Sequence, residues 1–193
     1  MPKVILFDAD GVVLTKQPYF SLEIAKENNI PYEEIEPFYK SELRLCQTGK
    51  ADIKEELAKY LPKWKWQGSA DDFLQRWFTT DVHRDEAVIA VVDALRAQGI
   101  KCYLASDQEI YRGEYIRTTA SLGKHFDGTF FSYEVGHQKS DPEFFQGILA
   151  KLNLQPSEVM YWDDDQKNVD VANGVGIDAH FYSNLEELKA AVA

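Results

Sequence analysis

Cysteine is scarce in this chain, histidine carries no spacing, bases are outnumbered by acids, and no apolar run is long. Each shortage excludes something. The two cysteines in 193 residues, Cys46 and Cys102, are isolated and unpatterned, so neither a disulfide framework nor a zinc knuckle is indicated and both read as small core residues. The four histidines, His83, His125, His137 and His180, show no ligand spacing and read as structural or exposed; only His137 falls near a motif. Lys and Arg number 21 against 32 Asp and Glu, a formal charge of -11. That balance argues against a nucleic-acid groove, and an anionic ligand would need local help from a cation, a lysine or helix N-termini. No segment approaches the ~20 apolar residues of a membrane span, and no basic stretch precedes the first apolar run. The expectation is a soluble, cytoplasmic protein with neither membrane nor nucleic acid as partner. Internal repeats and low-complexity tracts are also missing.

What is there begins with Val4-Ile5-Leu6-Phe7-Asp8-Ala9-Asp10-Gly11, an apolar strand that delivers two carboxylates to its end and breaks at a glycine. Side chains alternate faces along a strand, so Asp8 and Asp10 are expected to point the same way, close enough to share one divalent cation or one proton. Ionised carboxylates at the mouth of a buried strand are costly unless a metal or a substrate compensates them.

Further strand-like runs fall at Cys102 to Ala105, Thr129 to Ser132, Val159 to Trp162 and His180 to Tyr182. Helical patterns separate them: Glu86 to Ala97, with Gly99 beyond it as a stop signal, then Glu109 to Leu122, Pro142 to Leu152 and Asn168 to Gly174. This alternation predicts an α/β fold, a Rossmann-like three-layer core around a parallel sheet, with ligands at the carboxyl ends of the strands. Residues from Gln17 to Thr80 break the alternation. They are helix-rich, with patterns at Tyr19 to Asn28, Tyr32 to Cys46, Asp52 to Leu61 and Ala70 to Trp77, and are far too long for a simple crossover. The expected division is a core of residues 1–16 and 81–193 with an inserted helical domain, 17–80, in whose core Trp64, Trp66 and Trp77 would sit.

The residues following each strand are chemically compatible with one another. Asp8 and Asp10 follow the first, Ser106 and Asp107 the second, Lys139 lies after the third, and Asp163, Asp164 and Asp165 end the fourth. Each alone has an ordinary alternative: Asp163, Asp165 or Ser106 as a helix cap, Lys139 as a surface lysine. Together they describe a carboxylate-rich metal site with a hydroxyl and one lysine, which is what phosphoryl transfer needs.

These runs resemble the motifs of the haloacid dehalogenase superfamily, whose members are mostly phosphohydrolases. Phe7-Asp8-Ala9-Asp10-Gly11 looks like the first motif, Ala105-Ser106-Asp107 the second, Lys139 with Asp141-Pro142 the third, and Trp162 to Val169 the paired-aspartate fourth. The insertion is similar in position to the family's helical (C1-type) cap. The resemblance implies Asp8 as nucleophile, Asp10 as general acid and then base, Ser106 as donor to the phosphoryl oxygens, and Lys139 as charge balance. It implies Mg2+ held by Asp8, the Asp10 backbone carbonyl and Asp164, with Asp163 as an outer partner. Members that cleave carbon–halogen bonds lack an acid two residues after the nucleophile, so Asp10 favours phosphate over halide.

One departure stands out. Asn is usual where this chain has Asp107, and a carboxylate beside bound phosphate repels it unless protonated, turned away or paired with a base such as Arg112. Ser140 also replaces a common proline. In the cap, Arg44 and the turn Thr48-Gly49-Lys50 are candidates to reach the leaving group, although Lys50 reads equally as a solvated residue before Asp52. The expected activity is Mg2+-dependent hydrolysis of a small phosphate monoester through an aspartyl-phosphate, by a monomer or homodimer. The alternatives are a phosphomutase of the same family and a catalytically weak binder of phosphorylated metabolites. A receiver-type phospho-acceptor is disfavoured, because it carries its aspartate on a later strand.

Overall fold

The computed structural model describes residues 2–192. Five strands, Val4–Phe7 (β1), Lys101–Ser106 (β2), Gly128–Phe131 (β3), Val159–Asp163 (β4) and Asp178–Phe181 (β5), form one sheet. All pair in parallel, in the order β3-β2-β1-β4-β5. The central strand β1 is buried on both faces: Ile5 and Phe7 enter one apolar cluster, Val4 and Leu6 the other, as a period of two requires. Phe7 is in register with Leu104 on one side and Trp162 on the other. Three strands therefore end almost level, and the polar residues that follow them meet at one edge. The strand order reverses at β1, where open α/β sheets place their ligands.

After β1 the insertion builds five α-helices, Phe20–Glu27 (α1), Glu36–Lys40 (α2), Glu42–Gln47 (α3), Ile53–Tyr60 (α4) and Ala70–Asp81 (α5). Their apolar faces form a cluster of their own around Phe20, Phe38, Trp64, Phe73 and Trp77, with Trp66 packed against it. Burying a large apolar side chain contributes about 1.5–3 kcal/mol, so the insertion has a substantial core separate from the sheet. Asp52 caps α4 by accepting from the Lys54 and Glu55 amides, and Ser69 with Asp72 forms a capping box on α5. The single helix expected from Tyr32 to Cys46 is divided into a 3-10 turn, α2 and α3. Pro37 lies in the first turn of α2, and Ser41, whose hydroxyl bonds back to the Pro37 carbonyl at 2.6 Å, leaves helical geometry and ends it. The two connections to the insertion pair with each other: the Thr15 amide donates to the His83 carbonyl and the Asp85 amide to the Val13 carbonyl, both at 2.8 Å.

The remaining helices are Glu86–Ala97 (α6), Ile110–Glu114 (α7), Ser132–Val135 (α8), Pro142–Leu152 (α9), Gln166–Val175 (α10) and Leu185–Val192 (α11). The expected run from Glu109 to Leu122 is α-helical only to Glu114; a π-helical segment, Tyr115–Thr119, and a 3-10 turn, Leu122–His125, complete it. The widened turns place Arg117 against Thr129 at 2.6 Å and Glu134 at 2.7 Å. Helix α10 starts earlier than the apolar pattern, because Asp165 caps it through the Lys167 amide at 2.9 Å. Among the described residues, no helix is long and apolar enough to cross a membrane.

Candidate active site

At the level edge of β1 and β4, Asp8, Asp163 and Asp164 bring carboxylate oxygens within 4.8 Å of one another. Lys139 reaches between two of them, its ammonium 2.7 Å from Asp8 Oδ1 and 2.8 Å from Asp163 Oδ2. All three of those groups are buried. Burial drives the Asp8 carboxyl well above its ordinary range, with Asp163 and Asp10 adding to the effect and Lys139 opposing it. Burial acts on the lysine in the opposite sense. Burial alone would lower it, but Asp8, Asp163 and Asp107 outweigh burial and hold it charged.

The two oxygens of Asp8 are used differently. Oδ1 accepts from the Ala9 amide at 2.7 Å and from Lys139, whereas Oδ2 has no hydrogen bond among the described residues. Asp163 is held by more contacts. Its Oδ2 accepts from Lys139, the Tyr161 hydroxyl and Asn168, and its Oδ1 accepts from the Asp165 amide at 2.7 Å. Asp164 is more open and pairs with Lys16 at 2.8 Å. Its place is made by Gly11, whose φ is +81° and where a Cβ would lie 2.2 Å from Asp164 Oδ2.

Strand alternation stops at Phe7, because the chain then turns: the Val13 and Leu14 amides both return to the Ala9 carbonyl, at 3.0 and 2.7 Å. The expectation that Asp8 and Asp10 share a cation or proton through their carboxylates therefore fails, and the Asp10 carboxylate lies outside the cluster. It is gripped instead by Arg112, whose two terminal nitrogens each lie 2.7 Å from a different Asp10 oxygen, and by Gln108 at 2.8 Å. The Asp10 side chain is 48% exposed and that of Arg112 only 8%. Burial pushes the Asp10 carboxyl up, but Arg112 and Gln108 more than reverse this and hold it below the usual carboxylate value.

A cavity of about 440 Å³ lies over this edge, with Asp10, Asp107, Gln108, Arg112 and Asp164 on its sheet side and Leu43, Gln47, Trp77 and Asp81 on the side of the inserted helices. A family model for haloacid dehalogenase-like hydrolases matches residues 2–176. The chain belongs to this family.

Among curated relatives of this haloacid dehalogenase-like hydrolase, a phosphorylated carbohydrates phosphatase from Thermotoga maritima is 24% identical over 184 residues, covering 91% of this chain and 82% of the relative. A sesquiterpene phosphatase from Aspergillus oryzae is 24% identical over 178 residues, covering 91% of this chain and 87% of that protein. A HAD family enzyme from Bacteroides thetaiotaomicron, solved in complex with magnesium and inorganic phosphate, superposes with a TM-score of 0.83 at 20% identity, over 97% of this chain and 99% of that one. The structural likeness shows the fold: a parallel α/β sheet core of the HAD type.

Around the cavity, Ser106 is buried at the end of β2 and its hydroxyl accepts from Gln108 at 3.0 Å. Asp107 does not pair with Arg112. It turns toward the loop before α9, accepting from the Lys139 amide at 2.9 Å; burial raises its carboxyl, with Lys139 opposing. The two basic residues singled out in the insertion are not brought to the cavity. Arg44 and Lys50 are exposed and neither lines it. Leu43 and Gln47, four apart on α3, share the face that does, and Arg44 is rotated off it by one residue of helical twist. Gln47 donates to the Asp107 carbonyl at 3.3 Å and accepts from Gln138 at 2.8 Å. Gln47, Gln108, Lys16 and Tyr161 were not apparent from sequence. Only Gln47 carried a usable signal, its i,i+4 spacing from Leu43. None of the four histidines lines the cavity.

Proposed function

We propose that this protein hydrolyses a small phosphate monoester in a Mg2+-dependent reaction through an aspartyl-phosphate on Asp8, with residues 17–80 forming a cap over a core of 1–16 and 81–193. The observation that carries this reading is the asymmetric hold on Asp8. One oxygen is fixed by Ala9 and Lys139 and the other is left free, as a carboxylate positioned to attack requires. The names of the phosphatase relatives support the reaction class.

The residues present fit a small hard dication. The donors are all oxygens, three carboxylates lie together while only two of them share the Lys139 ammonium, and Gly11 leaves the space Asp164 occupies. Asp8, Asp164 and the Asp10 carbonyl would hold Mg2+, with Asp163 fixed behind them by Lys139, Tyr161 and Asn168. When bound, the cation supplies charge neutralisation at the phosphoryl oxygens.

The chain's own residues do the rest. Asp8 attacks phosphorus in line while Lys139 keeps it oriented. Ser106 donates its hydroxyl hydrogen to a phosphoryl oxygen. Asp10 enters the first step in its protonated form, a minor one beside Arg112, and gives that proton to the departing alcohol oxygen; it then takes a proton from the water that cleaves the aspartyl-phosphate, releasing phosphate and regenerating Asp8 and the protonated Asp10. The brace of Arg112 and Gln108 fixes where Asp10 stands for both transfers. Asp107, turned to the Lys139 amide, is drawn away from the repulsive placement considered above.

The test is phosphate release from a panel of small phosphate esters, with and without Mg2+, by wild type and Asp8→Asn. Mg2+-dependent release abolished by the substitution is the expected result. Release that survives EDTA would exclude the Mg2+ requirement, and release that survives Asp8→Asn would exclude an aspartyl-phosphate on Asp8.

A further inference from the structure

We propose that the leaving-group end of the cavity accepts esters of neutral or cationic alcohols and rejects those carrying a carboxylate, with Asp81 as the residue that sets the preference. The inference rests on the phosphohydrolase reading and narrows its substrate class. If Asp8 attacks from the sheet side, the alcohol faces the inserted helices, where Leu43, Gln47, Trp77 and Asp81 form the wall.

Asp81 is the last residue of α5. An acid there faces the negative end of the helix dipole, a position where basic residues are favoured, so local helix stability does not explain it. Trp77, one turn earlier, donates its indole N–H to Asp81 Oδ2 at 2.6 Å. The other oxygen, Oδ1, is buried with no hydrogen-bond partner among the described residues. A buried acceptor left unsatisfied is costly, and a hydroxyl or ammonium from a ligand would satisfy it.

The cations nearby are already engaged. Lys16 is paired with Asp164 at the opposite, metal-binding end. Arg112 is paired with Asp10: its two terminal nitrogens are taken by Asp10 and Gln108 Oε1, while its Nε is buried with no partner among the described residues. Glu109 adds a further acid to the lining, and the Gln47 amide is used on both sides, by the Asp107 carbonyl and by Gln138. A carboxylate on the alcohol would thus meet Asp81, with each cation of the described lining, Lys16 and Arg112, already paired with a carboxylate. A hydroxyl or ammonium would meet an acceptor in need of a donor. Such a wall discriminates by repulsion as well as by attraction.

Three esters of two-carbon alcohols test this: 2-hydroxyethyl phosphate, phosphoethanolamine and phosphoglycolate, whose terminal groups are neutral, cationic and anionic in turn. The readout is kcat/KM with Mg2+, or, for an ester not turned over, its Ki against p-nitrophenyl phosphate. The hydroxyl and ammonium esters are expected to exceed the carboxylate ester by at least about tenfold, the scale of a like-charge juxtaposition. Asp81→Asn should narrow the ratio of ammonium to carboxylate ester by a similar factor, and Asp81→Glu should preserve its direction. Equal or better use of phosphoglycolate by wild type overturns the proposal, whether or not the variants fold. An unchanged ratio in a folded Asp81→Asn removes Asp81 from it. Turnover of p-nitrophenyl phosphate shows that the phosphohydrolase reading stands while the selectivity is being judged. Absence of turnover of every ester, this one included, overturns both.

Discussion

Removing the Lys139 ammonium should destabilise the protein severely, and in a way that depends on pH. In Lys139→Met the shape of the chain is nearly kept, but Asp8 and Asp163 lose a cation at 2.7 and 2.8 Å. Their side chains are 5% and 0% exposed, so water cannot replace it. Breaking a buried ion pair by deleting one partner costs about 3–5 kcal/mol. For a protein of this size each kcal/mol moves Tm by about 2–4 °C, and a drop of roughly 6–20 °C follows. The sign of the pH dependence follows from linkage. Asp8 already has a raised carboxyl in the native state, and loss of Lys139 raises it further. The native protein then holds a proton that the unfolded chain releases, so stability falls as pH rises from the ordinary carboxylate value through the raised one. The deficit should therefore be smaller at pH 5 than at pH 8. Thermal melts at the two values, without added metal, check this. Adding Asp163→Asn to Lys139→Met should recover part of the loss, because it removes one of the two stranded charges. A Tm within 2 °C of wild type at pH 8, or a second substitution that only adds to the damage, would refute the reasoning.

Gly11→Ala should act on the metal site rather than the core. It places a Cβ at φ +81° and 2.2 Å from Asp164 Oδ2, costing about 1–2 kcal/mol of backbone strain and weakening Mg2+ by about tenfold, as read by calorimetry. Glu109 caps α7 through the Tyr111 and Arg112 amides and is buried, and burial raises its carboxyl from 4.5 to about 7. Its native value is raised, so stability declines between those two pH values. Glu109→Gln should gain on wild type by roughly 3 kcal/mol across that window, measured by urea titration at pH 4.5 and pH 8. Arg112→Met releases Asp10 from the guanidinium that holds it low; the alkaline limb of kcat/KM, set by the protonated acid, should move to higher pH. An unmoved limb would show that another group provides the proton.

What the sequence could show depended on how local the cause was. The strand Val4–Phe7, the acids following it and the strand–helix alternation all have short-range signatures, and the sheet reproduces their order. Boundaries shifted where a cap decided them, as at Asp165, or where a proline and a serine divided one apolar pattern, as at Pro37 and Ser41. The reach of Asp10 failed for a related reason: a two-residue period holds only while the chain is a strand, and the turn onto the Ala9 carbonyl ends it. Partners brought together by the tertiary fold were out of reach. Nothing near Arg112 indicates that it grips Asp10, 102 residues earlier, nor does anything near Lys16 point to Asp164, 148 residues later. In the insertion, charge drew attention to Arg44 and Lys50, whereas helical phase selects Leu43 and Gln47.

Charge accounts for the division of labour in the cavity. The chain is acidic as a whole, and its active-site edge more so, yet the proposed substrate is an anion. Among the described residues, one buried ammonium, Lys139, lies between Asp8 and Asp163, and the buried guanidinium at the cavity, Arg112, is bound by Asp10 and Gln108. Neither is free to receive a phosphate without giving up a carboxylate. The lining's lysine, Lys16, is likewise paired, with Asp164; on the proposed reading, affinity for the phosphoryl group then comes mainly from a bound cation, so ester binding and Mg2+ binding should be strongly cooperative in both directions. Inorganic phosphate, which has no alcohol to recognise, isolates that coupling: its Kd should tighten by at least about tenfold on saturation with Mg2+, and Mg2+ should tighten by the same factor with phosphate present. Tight phosphate binding without any divalent cation would mean that Lys139 or Arg112 exchanges its carboxylate for the ligand, and the site would then work by displacement of an ion pair.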